Sequence, residues 1–229
     1  MKAIVFDVAG VLLNWQPRAM LKREVPHLAY DENSAAHWEL QIFENYLGDW
    51  GEFDRGTIGV PELVQRIARR TGLDADDVRT VVDAVPNEMQ PMTDTVALLH
   101  RLADAGHRLH YLSNMPAPYA DLLEARNAFF KRFDSGVFSA RVHHNKPEPA
   151  IYAVAVERFC AAPRDLVFMD DTVGNVHAAR ALGWNALPFI TAAQAEAELW
   201  ARGWAAPADQ SRNSGPRGLP SAIHDSSSV

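Results

Sequence analysis

Apolar and polar positions follow two different rhythms along this chain. Ala3-Ile4-Val5-Phe6 is an unbroken apolar run that stops on Asp7, the pattern of a strand buried on both faces. From residue 93 onward helical and strand-like patterns alternate. Val96, Leu99 and Leu102 mark a helix closed by Gly106, and residues 108–112 follow as a short strand. Pro116 opens a helix expected to run through Phe129, Val137-Phe138 forms a short strand, and Pro147 opens a helix from Glu148 to Phe159. Leu166-Val167-Phe168-Met169 is a strictly apolar strand ending on Asp170. A helix from Val173 to Leu182 and a strand over residues 185–189 come next, and an amphipathic helix from Ala192 to Arg202 ends the pattern.

Residues 16–88 break this alternation. Helical patterns occupy Ala19 to Glu24, Ser34 to Leu47, Pro61 to Arg70 and Ala75 to Val85, with no strand between them. Strands of continuous apolar character separated by helices predict an α/β protein with a parallel sheet covered on both faces, interrupted by a helical insert. The division predicted is a core of residues 1–15 and 89–205, an inserted helical segment at 16–88, and a tail at 206–229. The tail is rich in Ser, Gly, Pro, Asp and Asn, and is expected to be disordered. The aromatic residues of the insert, Trp38, Phe43, Tyr46, Trp50 and Phe53, are expected to form its own small core, with one or two facing the cleft.

Composition narrows the partners. The 229 residues are 48% hydrophobic and carry a formal charge of -7 without a run of basic residues, which argues against nucleic acid or anionic lipid and for a small soluble substrate. No stretch has the length and apolarity of a membrane span, and the first residues lack the layout of a secretion signal, so a cytoplasmic protein is expected. Cys160 is the single cysteine. It excludes an internal disulfide and is expected to be a small buried residue at a helix end.

In parallel sheets ligands bind at the carboxyl ends of the strands. Asp7, Ser113 and Asp170 all fall at or just after such ends, so three distant parts of the chain bring polar groups to one rim. Asp7 followed by Gly10 is a candidate nucleophile or metal ligand. The pair Asp170-Asp171 adds hard oxygen donors suited to Mg²⁺, although either aspartate alone also suits a cap on the next helix. Ser113 and Asn114 supply a hydroxyl and an amide, or a cap for the helix opened by Pro116. Lys146 supplies a positive charge. Together these groups meet the needs of phosphoryl transfer, in which charge on the equatorial oxygens must be balanced.

The ordered segments FDVAGVL, LSN, KPEPAIY and FMDD resemble the four motifs of the haloacid dehalogenase-like hydrolase superfamily, and the insert resembles the helical C1 cap of its subfamily I. The string Leu12-Leu13-Asn14-Trp15-Gln16-Pro17-Arg18 resembles a branch that includes bacterial sugar-phosphate phosphatases. The resemblance implies a Rossmann-like core, an aspartyl-phosphate intermediate and Mg²⁺. It makes Asp7 the nucleophile and a metal ligand, with the Ala9 carbonyl as a second ligand and Asp171 or Asp170 completing the set. Ser113 and Asn114 would hold the phosphate, and Lys146 would neutralise it and orient Asp7. Asn175 would either brace the acidic loop or, the reading preferred here, belong to the helix surface.

One position departs from the family pattern. Its phosphatases commonly carry a second aspartate two residues after the nucleophile, which protonates the leaving group; here the residue is Ala9. Three readings follow. The favoured one is a Mg²⁺-dependent phosphatase acting on a small phosphate monoester such as a sugar phosphate, with any acid supplied by the cap or by water. His27, His37 and Glu44 belong to the cap, but none is singled out for that role. The second reading is a metal-independent 2-haloacid dehalogenase using an aspartyl ester, which Ala9 and the acidic pair argue against. The third is an inactive domain serving as a binding module, which a retained cluster of like charges argues against.

Overall fold

The computed structural model describes residues 2–205, so the tail expected to be disordered lies outside the described residues. Five strands form one wholly parallel sheet: β1 (Ala3–Phe6), β2 (Leu109–Ser113), β3 (Ser135–Phe138), β4 (Leu166–Asp170) and β5 (Asn185–Pro188). Their spatial order is β3-β2-β1-β4-β5. The chain thus moves outward in one direction from β1 to β3, then returns to the other side of β1 for β4 and β5. This reversal makes the carboxyl end of β1 the topological switch point, where an open α/β sheet leaves a crevice. Asp7 is the first residue beyond that end.

Every residue of β1, β2 and β4 is buried, and the two-residue period sorts their side chains between the faces. Ile4, Phe6, Leu109, Val167 and Met169 enter one apolar cluster. Ala3, Val5, Leu112, Leu166 and Phe168 enter another, beneath the helices α8 (Pro149–Phe159) and α9 (Val173–Ala181). The first face is covered by α6 (Thr93–Asp104) and α10 (Ala192–Ala201), and its cluster continues without a break into the inserted helices.

Those inserted helices are α1 (Pro17–Glu24), α2 (Glu32–Phe43), α3 (Gly48–Arg55), α4 (Val60–Thr71) and α5 (Ala75–Glu88). The segment expected as one helix from Ser34 to Leu47 ends at Phe43, because Glu44, Asn45 and Tyr46 all take positive φ (49°, 51° and 62°) and turn the chain. The sequence pattern does not anticipate α3, whose two glycines count against a helix. Gly51 is required there by space: a Cβ would lie 2.8 Å from the Tyr46 carbonyl oxygen. Helix α5 runs three residues past its expected end, through Pro86. Proline cannot donate to the Val82 carbonyl, and that carbonyl instead accepts the Tyr119 hydroxyl at 2.6 Å.

The helix after Pro116, α7 (Ala117–Arg126), stops short of the expected Phe129. The Asn127 side chain turns back to donate to the Leu123 carbonyl at 2.9 Å and closes the helix. Cys160 is exposed rather than buried. It ends α8 in the left-handed conformation, φ 48°, with its Sγ 3.5 Å from the Glu157 carbonyl. Of the aromatic residues of the insert, Phe43, Trp50 and Phe53 are buried in contact with one another, whereas Tyr46 is partly exposed.

Candidate active site

Asp7 emerges from β1 with its backbone N–H still donating to Met169 of β4 (2.9 Å), so its position is fixed by the sheet. The Val8 N–H donates to Asp7 Oδ1 at 2.6 Å and sets the carboxylate's orientation. Lys146 Nζ lies 2.8 Å from Asp7 Oδ1 and 2.7 Å from Asp170 Oδ2. All three groups are buried. Lysine would lose its proton on burial alone, but the charges of Asp170 and Asp7 outweigh desolvation and hold it firmly protonated.

The loop that carries Lys146 is held by Asn114. Its amide nitrogen donates to the Lys146 carbonyl at 3.0 Å and its amide oxygen accepts the Lys146 N–H at 2.7 Å. The amide expected to hold phosphate is therefore occupied in positioning the lysine. Ser113, at the end of β2, is buried and lines the cavity.

The two acidic neighbours differ. Asp170 is fully buried and accepts from Lys146, from the Thr172 N–H (2.7 Å), and from the Asn175 amide at 3.1 and 3.0 Å. Asn175 is thus not a helix-surface residue as expected. It is buried in the first turn of α9, where its amide can span both oxygens of Asp170. Asp171 faces the cavity and is open to solvent. Carboxylate oxygens of Asp7, Asp170 and Asp171 can be chosen that lie within 4.8 Å of one another.

This cluster sets three carboxylates against one lysine. Burial is the main cause that pushes Asp7 well above the usual carboxylate range. Lys146 opposes it, and Asp170 and Asp171 add to it. Asp171 is raised by desolvation and then by Asp170. A divalent cation among these oxygens would supply the missing positive charge, and an all-oxygen donor set suits Mg²⁺. The residues present therefore fit that ion.

A cavity of about 220 Å³ opens above the cluster. Asp7, Ala9, Ser113, Asn114, Lys146, Asp171 and Asn175 line its floor, and Trp15, Leu47, Trp50, Val85, Met89 and Met115 form much of its wall. All the expected site residues except Asp170 reach it; Asp170 stands behind, bound to Lys146. His27, His37 and Glu44 do not line the cavity: His27 bonds Asp77, His37 packs on Trp38, and Glu44 pairs with Arg70. Asp54, near the end of α3, does line it, and the sequence pattern gave no sign of this.

A family model for haloacid dehalogenase-like hydrolases matches residues 1–183. The chain belongs to the haloacid dehalogenase-like hydrolases. Among curated members, a sesquiterpene phosphatase, astK of Aspergillus oryzae, is 25% identical over 182 residues, spanning 80% of this chain and 86% of that protein. Drimenol cyclase drtB of Aspergillus calidoustus is 26% identical over 191 residues, but these make up only 34% of its length. The fold is shared with the family enzyme bt-2542 of Bacteroides thetaiotaomicron in complex with magnesium and inorganic phosphate (TM-score 0.63, 20% identity, 82% and 93% of the two chains). It is also shared with L-2-haloacid dehalogenase of Xanthobacter autotrophicus carrying covalently bound chloropropionic acid (TM-score 0.61, 20% identity, 90% and 85%). The chain is a hydrolase of this family with its Rossmann-like sheet, and among the described residues no helix is long and apolar enough to cross a membrane.

Proposed function

We propose that this hydrolase is a Mg²⁺-dependent phosphatase for a monoester with a largely apolar organic group. The observation that carries the reading is the pairing of Asp7 and Lys146 at the floor of an apolar-walled cavity, with Asp171 beside them. Asp7 attacks phosphorus and becomes an aspartyl phosphate, which water then hydrolyses. Lys146 aligns Asp7 and offsets charge on the transferring group. Ser113 donates its hydroxyl to a phosphate oxygen. Asp7, the Ala9 carbonyl and Asp171 would hold Mg²⁺, with Asp170 in reserve because its oxygens already accept from Lys146, Thr172 and Asn175. When bound, the ion would balance the negative charge of phosphate and carboxylates.

Residues 16–88 act as the cap that shields the reaction and selects the substrate. A sugar phosphate, the substrate implied by the branch resemblance, would need partners for several hydroxyls. Trp15, Leu47, Trp50, Val85, Met89 and Met115 offer none, the Tyr119 hydroxyl is already given to Val82 and the Tyr46 hydroxyl accepts from Trp15, which leaves Asn45, Asp54 and Thr172 as the polar groups of the wall. The activity named for the Aspergillus oryzae relative, a sesquiterpene phosphatase, supports the same preference. Dehalogenation is disfavoured because a departing halide would meet three carboxylates.

Phosphate release from p-nitrophenyl phosphate, geranyl phosphate and glucose 1-phosphate, each with Mg²⁺ and with EDTA, tests the proposal alongside chloride release from 2-chloropropionate. Metal-dependent release with geranyl phosphate preferred over glucose 1-phosphate is the expected result. Metal-independent chloride release without phosphatase activity would overturn it.

A further inference from the structure

Ala9 leaves the phosphatase site without the carboxylic acid that usually stands two residues after the nucleophile. The cavity holds one further acid outside the floor cluster. Asp54 is 4% exposed and lines the same space as Asp7, Ala9 and Lys146. Among the described residues no hydrogen bond to its carboxylate is found. Its backbone carbonyl accepts the Ser139 hydroxyl.

Asp54 belongs to the inserted helices, yet its position is tied to the sheet side of the molecule. The Asn145 amide donates to the Gly51 carbonyl at 2.7 Å. Arg55 forms a two-pronged pair with Glu148 and also donates to the His143 carbonyl at 3.2 Å. The His143 ring contacts the Arg55 carbonyl at 3.0 Å. The end of α3 is therefore bound to residues 139–148, the segment that carries Lys146. These contacts bring Asp54 and Lys146 to one cavity from two segments that are bonded to each other, the placement a proton donor and a charge-balancing group need.

We propose that Asp54 is the general acid of the phosphatase reaction, reaching the leaving group from the inserted helices in place of the acid absent at position 9. The inference rests on the phosphatase reading. In the first step an Asp7 oxygen bonds to phosphorus, the bond from phosphorus to the ester oxygen breaks, and that oxygen takes the Asp54 proton to leave as an alcohol. In the second step water attacks the aspartyl phosphate, its proton passes to the Asp54 carboxylate, and Asp7 and inorganic phosphate are released. The acid ends as it began, and no other reactant is consumed. Burial raises the Asp54 carboxyl to about 8, with Lys146 opposing only in part, so the group carries the required proton at neutral pH.

The test compares kcat/KM of the wild type and Asp54→Asn on n-hexyl phosphate, whose alkoxide needs a proton, and on p-nitrophenyl phosphate, whose phenolate leaves without one. The ratio kcat/KM for the hexyl over the nitrophenyl ester is expected to fall by about 10²-fold or more in the variant, the scale of general acid catalysis. Equal losses on both esters would mark a structural role and overturn the assignment. So would an unchanged ratio. A wild type that cleaves neither ester overturns the phosphatase reading itself. If Asp54→Asn does not fold, a series of aryl and alkyl esters on the wild type decides: kcat/KM nearly independent of leaving-group basicity supports an enzymic acid, and a steep decline with basicity overturns it.

Discussion

Gly10 and Asp171 touch in a way that only glycine permits. Gly10 has φ +81°, and a Cβ on it would lie 2.2 Å from Asp171 Oδ2. The tight loop after the nucleophile and the acidic loop after β4 thus share one space. Gly10→Ala should displace Asp171, adding a strained backbone conformation that costs of order 1–3 kcal/mol. A weaker apparent affinity for Mg²⁺, read from the metal dependence of p-nitrophenyl phosphate hydrolysis, is the expected outcome. Unchanged metal dependence would separate Asp171 from the metal.

Asp7→Asn keeps the shape of the side chain and removes the nucleophile. Steady-state phosphate release should drop to background, while the far-ultraviolet circular dichroism stays that of the wild type. Turnover at the wild-type rate would end the covalent reading.

Lys146→Met removes the one cation between two buried carboxylates. Leaving such charges uncompensated costs about 3–5 kcal/mol. Urea denaturation at pH 7 should reveal a loss on that scale, together with loss of phosphatase activity.

Asp54 also predicts a pH dependence of stability. Its carboxyl lies at about 8 in the fold, raised by burial from an ordinary value of 3.8. Between these values the folded chain retains a proton that the unfolded chain has lost, so this group's contribution falls as the pH rises, by up to ~1.4 kcal/mol per pH unit. Asp54→Asn, which cannot ionise, should gain stability relative to the wild type from about pH 4 to about 8, with no further gain above that. Parallel stability curves for the two proteins would place the Asp54 titration elsewhere.

The floor of the site was legible because its residues lie next to local signals. Asp7, Ser113 and Asp170 each end or follow a run of buried apolar residues, and a parallel sheet brings such ends together whatever its loops do. Asp54 carries no such mark. It stands between Phe53 and Arg55 in a helix that two glycines conceal, and the hydrogen bonds that hold this helix come from Ser139 and Asn145, far away in the chain. Asn175 reads as helix surface in preference to a brace for the acidic loop for a related reason: a polar residue early in a helix looks exposed until the partner it covers, here Asp170, is known. The end of the second inserted helix was equally hidden, since nothing in Glu44-Asn45-Tyr46 announces three successive left-handed residues.

The apolar cluster that begins on β1 and runs through α1 to α5 has no seam at the point where the insertion starts. On this face insertion and sheet therefore share one interior, and the sheet keeps a separate one only on its opposite face, beneath α8 and α9. A shortened chain without residues 16–88 would expose Phe6, Val11 and Leu12 to water, and a transplanted insertion would arrive without its floor. New substrates in such a molecule are reached one wall residue at a time rather than by exchange of the whole segment.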